Sequence, residues 1–157
     1  MIATIYPSHC SGSVHIPPSK SMAHRAIICA ALADGVSQIT NIDFSDDILA
    51  TIDGMRQLGA NIETSSNSVT VHGIRSFAQL QSNVIDCKES GSTLRFFIPI
   101  FSLCDQKIHF TGKGRLMRRP QDVYEELFAR QSLQFMHDEE GITIAGKLKP
   151  GEYEIDG

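Results

Sequence analysis

Basic side chains occur at the start of a predicted helix in the segment PPSKSMAHR, residues 17–25. Lys20, Ser21 and Arg25 fall within its first turns, where backbone N–H groups have no helical partner. Such N–H groups, together with a lysine, a hydroxyl and an arginine, form a site for a phosphate or a carboxylate. Alternatively, Lys20 and Arg25 extend into solvent around an ordinary N-cap, for which Ser19 and Ser21 are both candidates.

A second predicted helix starts in a similar way in the segment ESGSTLR, residues 89–95. Gly91 has no side chain and lets a ligand approach the backbone, while Ser92 and Thr93 supply hydroxyls. Arg95 follows just inside the helix. A plain Gly-Ser cap explains this segment alone equally well, but two such helix starts in one chain favour an anion site.

The segment GKGRLMRRP, residues 112–120, concentrates positive charge in a predicted loop before a helix that begins at Pro120. A solvated run of charges and a nucleic-acid patch are the alternatives. The segment is short and lacks interleaved aromatic residues, and the chain has a net charge of −4, so a small anionic substrate explains it better. Its basic residues are Lys113, Arg115, Arg118 and Arg119.

The composition describes one ordinary globular domain with a focused anion site. The chain has 157 residues, of which 41% are hydrophobic and 20% charged. The net charge and a pI near 5.8 argue against a general nucleic-acid or membrane-surface binder. No secretory leader pattern and no apolar stretch approaching about 18 residues is present, so we expect a cytoplasmic protein.

Several familiar chemistries have no support in the sequence. HExxH, GxSxG, GxGxxG and cysteine–histidine metal spacings are absent, so hydride transfer, zinc hydrolysis and serine-nucleophile catalysis have no sequence support. The four widely spaced cysteines predict reduced, buried thiols. The scattered histidines are interpreted as structural. Asp46 and Asp47 are interpreted as partners of a helix dipole behind a cap at Ser45, not as a catalytic pair.

The elements that must position these segments occur twice in the order β-α-β-α-β-β. Sliding the chain by 73 residues lays GANIETSSNSVTVHG over SLQFMHDEEGITIAG without a gap. The alternative is a coincidence between two common α/β stretches. The first copy is predicted to contain a strand at 13–16, a helix at 20–33, a strand at 37–42, a helix at 45–58 and a hairpin at 61–73. The second is predicted to contain a strand at 83–87, a helix at 91–104, a strand at 107–112, a helix at 120–131 and a hairpin at 133–146.

Taken in order, four motifs resemble the N-terminal part of the 5-enolpyruvylshikimate-3-phosphate synthase family, over nearly the whole chain. They are PPSKSMAHRAIICAALADG, SDDILATIDGMRQLGANI, ESGSTLRFF and TGKGRLMRRP. The resemblance implies a transferase of the shikimate pathway, in aromatic amino-acid biosynthesis. It would move the carboxyvinyl group of phosphoenolpyruvate to the 5-hydroxyl of shikimate 3-phosphate and release phosphate, and the resemblance implies no metal and no organic cofactor. The implied fold is α/β, with inside-out βαβαββ units of the enolpyruvyl transferase fold.

The resemblance also implies roles for individual residues. Lys20 would contact both substrates and could move a proton, while Ser21 and Arg25 would bind shikimate 3-phosphate. Gly91 and Arg115 would bind phosphoenolpyruvate. The arginines expected to support these contacts are Arg95 and Arg119.

The chain departs from the commoner family pattern at four motif positions, which are Pro18, His24, Glu89 and Phe96. Glu89 replaces the asparagine of the usual Gly-Asn-Ala-Gly-Thr stretch. An acidic side chain near the phosphoenolpyruvate site should weaken anion binding unless an arginine pairs with it. The affinity for phosphoenolpyruvate and the sensitivity to glyphosate, which occupies that site in the family, are therefore open.

Family chains are two to three times longer, so the resemblance implies about two of the three units of one domain. Residues 1–12 would hold a strand, roughly 2–6, that belongs to the other domain, and residues 13–80 and 81–149 would form the first and second units. Residues 150–157 would start a truncated third unit with the strand EYEIDG. The missing C-terminal domain of the same chain would be a partner, so we expect these 157 residues alone to turn over no substrate.

Two alternative functions remain open. UDP-N-acetylglucosamine enolpyruvyl transferase shares the repeat, but it expects Lys-Asn at the first helix and a cysteine near the third motif. The chain has Lys20-Ser21 and no cysteine in that segment. The second alternative is a non-catalytic anion-binding module. We expect no nucleic-acid partner and no membrane partner.

Overall fold

A computed structural model describes residues 2–4, 6–77 and 80–155 of the chain. These residues contain four α-helices and seven strands, and a short 3₁₀ helix lies between the fifth strand and the fourth α-helix. The elements are α1 (Lys20–Leu32), β1 (Val36–Thr40), α2 (Asp46–Gln57), β2 (Asn61–Thr64), β3 (Ser68–His72), β4 (Val84–Asp86), α3 (Gly91–Ser102), β5 (Ile108–Thr111), the 3₁₀ helix (Leu116–Arg118), α4 (Asp122–Arg130), β6 (Gln134–His137) and β7 (Ile142–Ala145). The four predicted helices are present, with ends that differ from the predicted ones by at most two residues.

The strands form two sheets of related topology. In the first sheet the order is β1-β3-β2, with both pairs antiparallel. In the second the order is β4-β5-β7-β6, in which β4 and β5 are parallel and the other pairs antiparallel. The order β5-β7-β6 in the second sheet corresponds to β1-β3-β2 in the first, and β4 is an additional strand beside β5.

Local signals explain where the helices begin and end. The hydroxyl of Ser19 accepts a hydrogen bond from the backbone N–H of Met22, so Ser19 is the cap of α1. Gly59 follows α2 with φ of 111°, a backbone conformation that favours glycine and ends the helix as predicted. The predicted cap at Ser45 is wrong in part, because its hydroxyl makes no capping hydrogen bond even though the residue occupies the N-cap position.

Aromatic and aliphatic side chains of the helices and of both sheets form the core. Phe97 and Phe101 of α3 are fully buried with ring centroids 5.1 Å apart, and Phe101 meets Phe110 of β5 edge to face at 5.8 Å. Helix α1 contacts α2, and α2 contacts α3, so the helices pack on one another as well as on the sheets. None of the helices in the described part of the chain is long and apolar enough to cross a membrane.

Both predicted hairpins are present at the predicted spacing. Val69 and Val71 of β3 are buried, and a shift of 73 residues places them on Ile142 and Ile144 of β7, which are also buried. In the second hairpin, the carboxylate of Asp138 accepts hydrogen bonds from two backbone N–H groups of the DEEG turn. The hairpins therefore bury equivalent faces in the two copies.

Three predicted strands are not formed by those of their residues that the structure describes. Residues 13–16 are exposed and pair with no strand, so that prediction is wrong: a strand needs a neighbour, and none lies against these residues. No strand is assigned at 2–4 or Tyr6, and Ile5 lies outside the described residues. Residues 152–155 are likewise exposed and form no strand, while the last two residues of EYEIDG lie outside the described part.

The four cysteines are free, but only Cys87 is fully buried as predicted. Cys10 lies in the exposed N-terminal segment, and Cys29 lies on the outer face of α1. Cys87 is buried, and burial raises the pKa of its thiol. Cys104 is half-buried, which raises its pKa to about 11. The apolar run around Cys29 suggested burial, but such a run does not show which side of the helix faces the core.

Candidate anion-binding site

A cleft of about 340 Å³ opens where the starts of α1, α2 and α3 meet the loop before α4. Three basic and two acidic side chains line it, together with a glycine and a serine. The lining residues are Lys20, Asp47, Glu89, Gly91, Ser92, Arg95 and Arg119. Both copies of the repeat therefore contribute to one cleft.

The α1 side of the cleft is an ion pair between two helix starts. Lys20 is the first residue of α1, directly after the cap at Ser19. Its Nζ donates to Oδ2 of Asp47 at 2.6 Å, and Asp47 lies in the first turn of α2. The side chain of Lys20 is 55% exposed and that of Asp47 is 25% exposed. The ammonium group is therefore held at the cleft and remains accessible to a ligand.

The α3 side of the cleft is a capped helix start without a side chain at its first residue. Ser90 is the N-cap of α3, and its hydroxyl accepts from the backbone N–H of Thr93 at 3.2 Å. Gly91 follows, and a Cβ on Gly91 would overlap Nη1 of Arg119. The absence of that Cβ lets the Arg119 guanidinium lie directly against the start of α3.

Buried residues of the loop between β5 and α4 hold its arginines in place. Leu116 and Met117 are buried, and the backbone N–H of Lys113 donates to the carbonyl of Lys88 at 2.6 Å. This loop is thus anchored to the loop that leads into α3. The anchoring presents Arg119 to the cleft as an arginine fork suited to a phosphate or a carboxylate.

Arg95 is positioned through its own backbone. The hydroxyl of Tyr124 in α4 donates to the Arg95 carbonyl at 2.7 Å. Burial raises the pKa of Tyr124, so the hydroxyl keeps its proton for this hydrogen bond at neutral pH. Helix α4 is thereby joined to the first turns of α3.

The sequence-predicted site residues are only partly brought together. Lys20, Gly91, Arg95 and Arg119 line the cleft, whereas Ser21, Arg25 and Arg115 are absent from its lining.

Arg25 lies one turn along α1, beside the second copy. Its Nη1 donates to the carbonyl of Ser21 at 2.9 Å, and its Cζ lies 5.2 Å from the centroid of the Phe96 ring. Phe96 directly follows Arg95 in α3. The Arg25 guanidinium therefore contacts the same helix that borders the cleft.

Arg115 occupies the N-cap of the 3₁₀ helix and is exposed. The residue before it, Gly114, has φ of 60° and lies directly against the carboxylate of Glu89. Arg115 is thus next to a contact of the cleft, although it does not line the cleft itself.

Sequence reasoning missed the role of Asp47 in the cleft. Its place in the first turn of α2 agrees with the predicted dipole role, but its carboxylate also pairs with Lys20 of the preceding helix. The ion pair with Lys20 is a structural role that adds to the predicted dipole role and does not replace it. Only the packing of α2 beside α1 brings the two residues, 27 positions apart, into contact.

Glu89 lines the cleft without a basic partner. Within the described residues, no lysine or arginine lies within ion-pair distance of its carboxylate. No arginine in the described part of the chain therefore offsets the charge of the Glu89 carboxylate. Its negative charge opposes that of any anion bound beside Arg119.

We expect Glu89→Gln to raise the affinity for inorganic phosphate by about two- to fivefold, the range of an exposed charge interaction. Isothermal titration at low ionic strength measures this gain, which should shrink with added salt. Glu63→Gln, on β2 and outside the cleft lining, is a control with the same change in net charge. Equal affinities in the two variants would contradict a direct effect of Glu89.

Across the described residues, no three histidine, cysteine, aspartate or glutamate side chains are arranged to hold a metal ion. Three of the side chains that line the cleft are cationic donors, which suit anionic ligands.

Comparison with known proteins gives a consistent result. The family model described as EPSP synthase (3-phosphoshikimate 1-carboxyvinyltransferase) matches residues 6–129. A 3-phosphoshikimate 1-carboxyvinyltransferase of Clostridium perfringens (strain SM101 / Type A) is 50% identical over 155 residues, which cover 98% of this chain and 37% of that protein. The corresponding protein of Clostridioides difficile (strain 630) is 48% identical over 164 residues, covering 98% of this chain and 38% of that one.

Among solved structures, EPSP synthase from Acinetobacter baumannii matches with a TM-score of 0.78 at 27% sequence identity. The match covers 92% of this chain and 34% of that one. The chain therefore spans little more than a third of the length of the relatives that it matches. The mixed α/β architecture expected from the resemblance is confirmed.

Proposed function

We propose that this chain, which belongs to the EPSP synthase (3-phosphoshikimate 1-carboxyvinyltransferase) family, supplies binding residues for both substrates of an enolpyruvyl transferase. The reaction moves the carboxyvinyl group of phosphoenolpyruvate to the 5-hydroxyl of shikimate 3-phosphate. A bond forms between the hydroxyl oxygen and C2 of phosphoenolpyruvate, and the bond from C2 to the phosphate oxygen breaks, which releases phosphate. This assigns the chain to the shikimate pathway.

One observation carries the proposal: Lys20 from the first copy of the repeat lines the same cleft as Gly91, Arg95 and Arg119 from the second. Both substrates are multiply charged anions, so they repel each other when they are brought together. Cationic forks and helix starts aimed at one cleft offset that repulsion and hold the reacting groups close. Other small acids could be bound in this way, but the family narrows the choice to these two.

Individual roles follow the family pattern and the geometry of the cleft. We assign Lys20 to both substrates, with a further role in moving a proton at the leaving phosphate or the attacking hydroxyl. Gly91 is assigned to phosphoenolpyruvate, and Arg119 and Arg95 support that site. Their position in the cleft lining favours direct contact with the ligand.

The remaining assigned residues would act at the margin of the cleft. Ser21 and Arg25, one turn along α1, are assigned to shikimate 3-phosphate. Arg115 is assigned to phosphoenolpyruvate. Because the relatives are much longer than this chain, we propose that further substrate contacts and the general base come from the part of the relatives that it does not cover. On this proposal, the 157 residues alone bind substrates weakly and release no phosphate from them.

Titration of shikimate 3-phosphate into the chain tests the proposal. We expect Arg25→Ala to weaken binding by about 10-fold or more, the loss of a charged hydrogen bond. Arg75→Ala is the matched control, because Arg75 is 87% exposed and pairs with Asp34 away from the cleft. Binding that is equal in the two variants would favour the non-catalytic module. An assay of phosphate release with both substrates checks the expected lack of turnover, which full activity would contradict.

A further inference from the structure

A buried network of hydrogen-bonded polar side chains, here called the polar network, links the three helices whose first turns border the cleft. Nδ1 of His24 in α1 lies 2.7 Å from Oγ1 of Thr51 in α2. Oγ1 of Thr51 lies 2.7 Å from Oγ1 of Thr93 in α3, and that atom donates to Oγ of Ser90 at 2.7 Å. All four residues are at most 1% exposed.

The donors along the polar network can be assigned because each hydroxyl has one proton. If Thr93 donates to Ser90, its oxygen must accept from Thr51. Thr51 has then used its proton, so Nδ1 of His24 must carry the proton that it donates to Thr51. With this assignment of donors His24 carries its proton on Nδ1, and burial lowers the pKa of this histidine, which favours the neutral imidazole. Asp47 opposes that shift, while Lys20 and Arg25 add to it.

The polar network reaches the residues of the cleft through Ser90 and through its two threonines. Ser90 is the cap of α3 and directly precedes Gly91. The backbone carbonyl oxygen of Asp47 lies 3.3 Å from Oγ1 of Thr51 and 3.4 Å from Oγ1 of Thr93, where it is a weaker, competing acceptor for the same two protons. The polar network therefore fixes the start of α3 and the backbone of Asp47, which pairs with Lys20.

His24 is costly for stability alone. Its Nε2 is buried and has no hydrogen-bond partner among the described residues. Leaving a buried acceptor unpaired costs free energy that an apolar side chain of similar size would avoid. A role other than simple packing explains why this position carries an imidazole.

We propose that His24 is a positioning residue, which acts through Thr51 and Thr93 to hold the starts of α1, α2 and α3 in the geometry that binds the anion. The inference rests on the proposed function, since the ligand is taken to be phosphoenolpyruvate. It adds a residue that itself does not line the cleft.

The test compares variants of the whole chain. His24→Leu removes the donor to Thr51, and His24→Asn keeps a donor of similar reach while removing the unpaired Nε2. The matched control is His109→Leu, because Nδ1 of His109 lies 2.9 Å from Oγ1 of Thr143 in an equivalent His–Thr pair between β5 and β7. If His24→Leu does not fold, Thr51→Val interrupts the same polar network with little change in side-chain shape.

Two readouts are measured for each folded variant. The first is the affinity for phosphoenolpyruvate by isothermal titration, which should fall about 5- to 20-fold in His24→Leu and return to within about twofold in His24→Asn. The second is amide hydrogen exchange without ligand at Thr93 and Leu94, whose N–H groups bond to Ser90. Exchange there should accelerate about tenfold in His24→Leu and stay unchanged in His109→Leu.

Each outcome decides the inference. Weaker binding with faster exchange, restored by asparagine and absent in the control, supports it. A folded His24→Leu variant with wild-type affinity overturns it, even if the variant is less stable. If the wild-type chain does not bind phosphoenolpyruvate, the proposed function fails, and hydrogen exchange then decides: unchanged exchange at Thr93 and Leu94 overturns the positioning role, and accelerated exchange confined to His24→Leu supports it.

Discussion

Replacing Gly91 by alanine is expected to lower the affinity for phosphoenolpyruvate by about 10- to 100-fold, the loss of a charged hydrogen bond, while the chain remains folded. A Cβ at this position overlaps the end of the Arg119 side chain, which is flexible and can move away without disturbing the core. The guanidinium would then leave the start of α3, and the methyl group would occupy the space where a ligand approaches the backbone. Isothermal titration measures the affinity, and thermal unfolding measures the stability.

The control for Gly91→Ala is Gly151→Ala, where the nearest atom to a new Cβ is 3.8 Å away in Tyr153. This variant should bind as the wild type does. Arg119→Ala should lose a similar amount, and the double variant should lose less than the sum of the two single losses, because both changes act on one guanidinium. Wild-type affinity in Gly91→Ala would contradict the assignment of this helix start to the ligand.

Gly54→Ala is expected to destabilise the fold by about 1–3 kcal/mol, the usual range for overpacking a core. Gly54 is buried in the middle of α2, and a Cβ there would overlap the ring of Phe97 in α3. Phe97 is fully buried against Phe101, so the ring cannot move aside freely. Equilibrium unfolding in urea, with the slope unchanged, measures the loss.

The sign of the effect makes this prediction sharp. An ordinary glycine in a helix interior gains about 0.5–1 kcal/mol of stability on replacement by alanine. An increase in stability for Gly54→Ala would therefore show that α2 and α3 do not approach closely at this point. If they do, Phe97→Leu in the Gly54→Ala background should cost less than Phe97→Leu in the wild-type background, since the smaller side chain relieves the overlap.

The helices and hairpins could be predicted because their signals are local. Caps such as Ser19, terminators such as Gly59 and alternating side chains in the hairpins act over a few residues. The basic residues at the starts of α1 and α3 likewise indicated an anion site from their types and spacing. Four of the seven residues proposed for the site line one cleft.

Features that depend on distant parts of the chain could not be predicted in the same way. The strand predicted at 13–16 has an alternating pattern, but forming it requires a neighbour that the pattern does not specify. The Lys20–Asp47 pair and the contact of Thr51 with Thr93 join residues 27 and 42 positions apart. A repeat in sequence predicts that two helix starts are equivalent, but only packing shows which side chains meet between them.

The comparisons with known proteins bear differently on the two alternative functions. Matches to EPSP synthase and to proteins named 3-phosphoshikimate 1-carboxyvinyltransferase leave UDP-N-acetylglucosamine enolpyruvyl transferase without support. A non-catalytic anion-binding module has the same cleft as an enzyme half-site. Selectivity for shikimate 3-phosphate through Arg25 separates the two, as the titration above is designed to detect.

An NMR titration of the isotope-labelled chain with phosphoenolpyruvate tests the central claim most directly. The claim is that the helix starts of the two repeated copies bind one anion between them. We predict that the backbone amide signals of Lys20 and Gly91 and the side-chain Nε signal of Arg119 shift together and fit a single Kd. Signals that fit separate dissociation constants, or a response at only one of the two helix starts, would contradict it.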